Sequence, residues 1–166
     1  GLILGTISFC AAVLVSLTYI LTKPIIAQQS LNIERKSIST FLPDVEKIEK
    51  VENEAGIYYK CYREGKLLGY ALVVLADGYS SNIKLIAVID SKKIIKGIKV
   101  LEQQETPGLG TKITEPWFED QFKNKETGRL VLGKDIEAIS GATISSNAVV
   151  EAVKKEIEQF KIENED

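Results

Sequence analysis

IYYKCYREGKLLGYALVVLADGYSSNIKLIAVIDSKKIIKGIKVL, residues 57–101, is a run of aromatic, β-branched and aliphatic residues cut three times by turn chemistry. The cuts are Glu64-Gly65-Lys66, Asp77-Gly78 and Asp90-Ser91-Lys92, and they predict strands over 57–63, 67–75, 83–89 and 94–101. Four strands at such short spacing predict an antiparallel meander with one covered face. Gly97, inside the last strand, marks a bulge or a close approach of another group.

Toward the C-terminus, Glu105-Thr106-Pro107-Gly108-Leu109-Gly110 reads as a structured loop, and Pro116-Trp117-Phe118 opens a short helical stretch that takes in Phe122. Residues 123–128 form a polar connection. From Ile144 onward, Ala148, Val149, Ala152, Val153, Ile157 and Phe160 recur at helical spacing, as in an amphipathic helix packed on a sheet. Strands closed by helices make the fold class α+β.

Toward the N-terminus, the chain changes character. Residues 1–22 contain no charged side chain, so all 21 basic and 23 acidic residues of the 166 follow it. LILGTISFCAAVLVSLTYIL is long enough to cross a hydrocarbon core, which takes about 20 apolar residues. Tyr19 and Lys23 stand at its end, where interfacial side chains belong. A secretory signal has a shorter apolar region, about 7–15 residues, and a small-residue cleavage site. Here apolar character continues to Ile25 and Ile26, which favours a retained transmembrane helix over a signal peptide or a buried core helix. The start at Gly1 without methionine leaves any orienting charges ahead of it out of view. Residues 27–41 mix Leu31, Ile38 and Phe41 with polar neighbours and read as a helix broken by Pro43, and the Glu- and Lys-rich stretch to Ala55 reads as a solvated surface segment. The expected organisation is a membrane anchor over 1–26, a helical and polar linker over 27–55 and the main domain over 56–166.

Composition excludes several chemistries. A net charge of −2 lacks the basic excess of a nucleic-acid surface, so no nucleic-acid partner is expected. There is no histidine, and Cys10 and Cys61 form no Cys-x-x-Cys pair, which removes ordinary zinc, haem and iron–sulfur sites and histidine triads. No metal site is expected. Nothing resembles a Gly-rich dinucleotide loop after a strand. Whatever chemistry this chain performs needs an imported cofactor or a simpler device.

Ser140-Gly141-Ala142-Thr143-Ile144-Ser145-Ser146 stands directly before the last helix. A helix start offers unpaired N–H groups and about half a positive charge, Gly141 permits positive φ or close approach, and Ser145 and Ser146 add hydroxyls. The site suits a phosphate. Small hydroxyl residues before a helix also serve simply as N-caps. Thr106-Pro107-Gly108-Leu109 fits a type II turn, with Gly110 behind it and with Glu105 and Thr106 supplying an acceptor and a hydroxyl. Taken alone, it is a tight turn after a strand.

Anchor, Glu-Thr-Pro-Gly-Leu-Gly loop and Ser-Gly-Ala-Thr before a C-terminal helix together resemble the G subunit of the Rnf ion-translocating complex, from the anchor through Phe160. The chain is similar, more distantly, to the C subunit of the sodium-translocating NADH:quinone reductase. The resemblance implies FMN covalently esterified through its phosphate to Thr143, installed by a separate flavin transferase that uses FAD as donor. Ser140, Gly141 and Ala142 are then the recognition context, and Ser145 and Ser146 match the hydroxyl residues that follow it. Glu105, Thr106, Leu109 and Gly110 are expected around the isoalloxazine ring, with Tyr79 as a further candidate and Trp117 either near it or in the core. It further implies an electron-transfer subunit, not catalytic alone, partnered with the other membrane and peripheral subunits of a ferredoxin:NAD oxidoreductase coupled to sodium or proton movement. The subunit is expected to be single-pass in the lipid of the cytoplasmic membrane, with its FMN domain outside. Two positions depart from the family pattern: Glu137 stands where aspartate is usual, and Gln103 where histidine is often found. The alternatives left open are the equivalent flavin subunit of a quinone reductase or other extracytoplasmic chain, and a tethered binding module without redox chemistry.

Overall fold

A computed structural model describes residues 1–53 and 56–160. Glu54 and Ala55 of the expected linker and the last six residues of the expected 56–166 domain lie outside the described residues. The chain divides into two compact units, Gly1–Glu34 and Arg35–Asp166.

The first unit is made by helix α1 (Leu2–Phe41), which also supplies the first residues of the second. Its apolar window is long enough to cross a membrane, and none of it is buried within the chain. Leu4, Phe9, Leu14, Val15 and Ile20 all stand more than 60% exposed, so this is not a core helix. Such a surface fits a membrane anchor, since a helix satisfies its own backbone in apolar surroundings.

The second unit is a five-stranded antiparallel sheet in the order β1-β2-β3-β4-β5. Its strands are β1 (Lys47–Asn53), β2 (Gly56–Arg63), β3 (Lys66–Asp77), β4 (Asn82–Asp90) and β5 (Ile95–Glu102). The four strands read from sequence are β2 to β5. Glu64 and Gly65 both take positive φ (48° and 75°), the two-residue hairpin turn whose twist matches the strands. β1 departs from the sequence reading of a solvated surface segment. It pairs with β2 from Lys47↔Tyr62 to Asn53↔Gly56. Its charged side chains are what an edge strand carries against further pairing, so composition alone hid it.

Both faces of the sheet are covered, where the sequence reading expected one. On one face Tyr70, Leu72, Val74, Ala76, Ile83, Leu85 and Ile89 pack beneath α3 (Thr143–Gln159) and the segments before it. On the other, Tyr59, Cys61, Ala71, Ile86 and Val88 meet Ile38 and Phe41 from the end of α1. Leu85-Ile86-Ala87-Val88-Ile89 is apolar without alternation, which is how a strand buried on both faces reads. Gly97 lies at both features expected of it. The β4–β5 register shifts between Val88 and Ile89, and a Cβ at Gly97 would meet the Phe41 ring at 2.2 Å.

α3 buries Ser146, Val149, Val150, Val153 and Ile157, a helical stripe laid chiefly on β3. Lys93 Nζ donates to the carbonyls of Ile157 (3.1 Å) and Phe160 (2.5 Å), placing a cation at the helix C-terminus. The opposite end of α3 thereby stands at the end of the β3–β4 hairpin. The helix α2 (Pro116–Glu119) and the 3-10 turn Asp120–Phe122 bury Phe118 and Phe122. Glu119 accepts the Val100 N–H at 3.0 Å, satisfying a donor on the outer edge of β5.

Candidate functional site

The start of α3 is shaped by two residues that only their positions explain. Gly141 sits at φ +77°, a conformation that L side chains rarely adopt, and the chain enters the helix through Ala142. No side chain caps that end, so the N-cap role open to the hydroxyl residues is not taken. Among the described residues, no acceptor is found for the N–H groups of Thr143, Ile144 and Ser145. Thr143 itself is exposed.

The loop after β5 is the type II turn read from sequence. Gly108 has φ +75°, and Leu109 N–H donates to Thr106 O at 3.2 Å. Thr111 Oγ1 accepts the Gly108 N–H at 3.0 Å, and Gln103 Oε1 accepts the Glu105 N–H at 2.7 Å. Gln103, the departure at the histidine position, thus braces this loop. Glu137, the other departure, is exposed and donates its N–H to Gln121 Oε1 at 2.6 Å.

The two motifs meet. A Cβ at Gly141 would stand 3.1 Å from Leu109 Cδ2, and Ser145 Oγ donates to Glu105 Oε2 at 2.5 Å. Between them opens a cleft of about 620 Å³ lined by Tyr79, Thr106, Leu109, Gly110 and residues 141–145. The size falls in the usual range for a small-molecule site, roughly 300–1,000 Å³. Tyr79 (68% exposed), Leu109 (44%) and Ile144 (58%) give it apolar walls, and Thr143 and Thr106 give it hydroxyls. No lysine or arginine lines it, so the end of α3 is its positive pole.

Of the residues singled out from sequence, Tyr79, Thr106, Leu109, Gly110, Gly141, Ala142 and Thr143 line this cleft, and the buried Ser145 lines it as well. Ser140, Ser146 and Glu105 do not. Ser146 is fully buried and ties its own turn together, donating to Ala142 O at 2.9 Å and accepting from Ile139 N–H at 3.2 Å. Trp117 is 43% exposed, donates to Glu115 and lines neither cleft nor core. Ile144 escaped the sequence reading. Its signal is an apolar residue off the buried stripe of α3.

Glu105 lies behind the cleft, 4% exposed. Its Oε1 accepts the N–H groups of Ser80 and Ser81, both at 3.0 Å, and its Oε2 accepts the N–H of Tyr79 at 3.1 Å and the Ser145 hydroxyl. Burial pushes its carboxyl up, but the Ser145 hydroxyl and the amides of Ser80, Ser81 and Tyr79 outweigh it and hold the group below its ordinary value.

A helix start with free amides, an exposed hydroxyl and apolar walls fits a phosphate bearing a flat aromatic group. Comparison with known proteins agrees. The family described as FMN-binding domain matches residues 78–158, which include every residue lining the cleft. The G subunit of the ion-translocating oxidoreductase complex of Aliivibrio fischeri is 32% identical over 195 residues, covering 100% of this chain and 91% of that one. The G subunit of the proton-translocating ferredoxin:NAD(+) oxidoreductase complex of Clostridium ljungdahlii is 29% identical over 157 residues, 91% of this chain and 84% of the relative. The crystal structure of NqrC from Shewanella oneidensis superposes with a TM-score of 0.53 at 23% identity, over 67% of this chain and 64% of that one, a likeness of fold. The chain belongs to the family of G subunits of the Rnf-type, ion-translocating oxidoreductase complexes.

Proposed function

We propose that this chain is a membrane-anchored electron-transfer subunit that carries FMN as a phosphoester on Thr143. We place it within a ferredoxin:NAD oxidoreductase complex coupled to sodium or proton translocation. The observation that carries the reading is the position of Thr143: an exposed hydroxyl, in the uncapped first turn of a 17-residue helix, opening into a cleft walled by Leu109 and Tyr79.

Electrostatics favours the ester over a loosely held nucleotide. A phosphomonoester carries about −1.5 to −2 charges at neutral pH, whereas a diester carries one. With no basic side chain in the lining, the dipole and free amides of α3 match a single negative charge. Attachment joins Thr143 Oγ1 to the flavin-side phosphorus of FAD and breaks its pyrophosphate bond. AMP leaves, and the hydroxyl proton passes to the transferase. Gly141 exposes the backbone beside the hydroxyl, so a transferase can reach it. When bound, FMN supplies the redox chemistry. Leu109 and Ile144 offer an apolar seat for the ring system, and Thr106 a hydroxyl for its polar edge. Tethering also sustains a high effective concentration beside a partner.

The test is intact-mass measurement of the full chain co-expressed with a flavin transferase. One FMN adduct is expected on the native chain and on Thr143→Ser, and none on Thr143→Ala. Flavin fluorescence surviving denaturation in Thr143→Ala would move the attachment elsewhere, and a colourless native chain would remove the flavin role. We further assign the domain to the outer side of the cytoplasmic membrane. Protease added to intact cells is expected to cleave it, and protection there would reverse the orientation.

A further inference from the structure

We propose that Glu105 is the positioning residue of the cleft, the side chain that holds the 78–81 loop and the first turn of α3 where they present Thr143 to its flavin. The proposal rests on the reading of Thr143 as the attachment site. Glu105 has no part in lining the cleft, yet both walls end on it. From the β3–β4 loop come the amides of Tyr79, Ser80 and Ser81 and the Ser81 hydroxyl at 3.4 Å; from α3 comes the Ser145 hydroxyl. Among the described residues, no lysine or arginine pairs with it, unusual for a glutamate this deep. Its charge is met entirely by aimed dipoles, as in a backbone nest around an anion.

The packing is specific to this group. A Cβ at Gly78 would stand 2.5 Å from Glu105 Oε1, and one at Gly110 2.7 Å from Glu105 Cβ. The glycines on either side therefore leave the space that the glutamate fills. An amide cannot replace it. Each oxygen accepts from at least two donors, so Glu105→Gln sets an NH₂ group against N–H or O–H donors whichever way it turns. The 78–81 loop, which carries Tyr79, would then lose its tie to the helix that carries Thr143.

The experiment uses the full chain in detergent. In the flavin-free protein, hydrogen exchange of peptides over residues 78–82 is expected to quicken in Glu105→Gln, with β3 and β4 core amides unchanged. The rate of covalent FMN loading by the transferase is expected to fall roughly ten- to a hundredfold, the usual cost of a misplaced reacting group. Ser145→Ala, which removes a single donor, is expected to slow loading severalfold and carries the test if Glu105→Gln fails to fold. Glu119→Gln is the control: a carboxylate nearly as buried, at 6% exposure, with no partner in the cleft. It is expected to load at the native rate whatever it loses in melting temperature. Native loading in Glu105→Gln or Ser145→Ala, or a loss in Glu119→Gln that tracks its melting temperature, would overturn the proposal. A native chain that takes no flavin would instead sink the attachment reading, while the exchange arm still decides whether Glu105 holds the loop.

Discussion

Two carboxylates expose almost no surface, Glu105 just behind the cleft and Glu119 at the edge of β5, but Glu119 is the more deeply enclosed and burial works harder on it. Glu119 has the formal ion pair, with Lys99 Nζ at 2.7 Å, and the Val100 N–H at 3.0 Å. Its carboxyl is nevertheless pushed up, because burial outweighs Lys99 and the amide, and Asp120 adds to the push. Glu105 has no cation partner among the described residues and is held down. The Lys99 side chain is 41% exposed, so water screens much of its attraction. Ser145 and the three loop amides all donate to Glu105, and together they outweigh its burial cost. Glu105 and Glu119 thus differ both in the number of donors they meet and in the burial cost those donors must offset.

The largest test of that contrast is Glu105→Ala. It strips the acceptor from several donors at once and is expected to cost roughly 2–4 kcal/mol in denaturant unfolding. A loss below about 1 kcal/mol would mean that water serves those donors as well as the carboxylate does. Gly110→Ala, which pushes a Cβ against Glu105, is expected to cost about 1–3 kcal/mol by overpacking. Gly128→Ala, with open space and ordinary φ, is expected to stay within about 0.5 kcal/mol. Equal effects at the two glycines would break the claim that Glu105 is tightly packed.

Acid sharpens the comparison because the signs oppose. A carboxyl lowered on folding contributes stability above its unfolded value, and loses it as pH falls through the folded value. A raised carboxyl does the reverse: its stability is full below the unfolded value and lost as pH rises through the folded one. Measured against the native chain, the penalty of Glu105→Gln should therefore shrink as pH falls below the ordinary 4.5, whereas the relative stability of Glu119→Gln should improve as pH rises above 4.5. Parallel difference curves from thermal melts would end the comparison. Of the carboxylate variants, Glu119→Gln at neutral pH has the smallest effect, expected within about 1 kcal/mol since its ion pair is largely screened.

The same contrast explains what was legible beforehand. Glu105 stood out with its turn motif and Glu119 did not, yet nothing local told that the Glu105 carboxylate turns away from the cleft. The type II turn at Gly108 and the positive φ at Gly141 were readable because turn chemistry lies within four residues. The strands β2 to β5 were readable from their turns and β-formers. β1 was not, because an edge strand keeps its charges. The second covered face was also missed, although the unbroken apolar run in β4 pointed to it. Ser146 looked like Ser145 in the motif, yet one closes a helical turn and the other reaches Glu105.

By itself, the sequence determined the kinds and order of the elements other than β1, the apolar anchor and the two motifs, since periodicity and turn propensity act between near neighbours along the chain. Tertiary structure alone decided that Leu109 lies over Gly141, that Ser145 meets a glutamate 40 residues away, and that this glutamate turns inward from the cleft. Such contacts exist only once the sheet and α3 pack, because packing sets the direction a side chain takes and the donors it finds there.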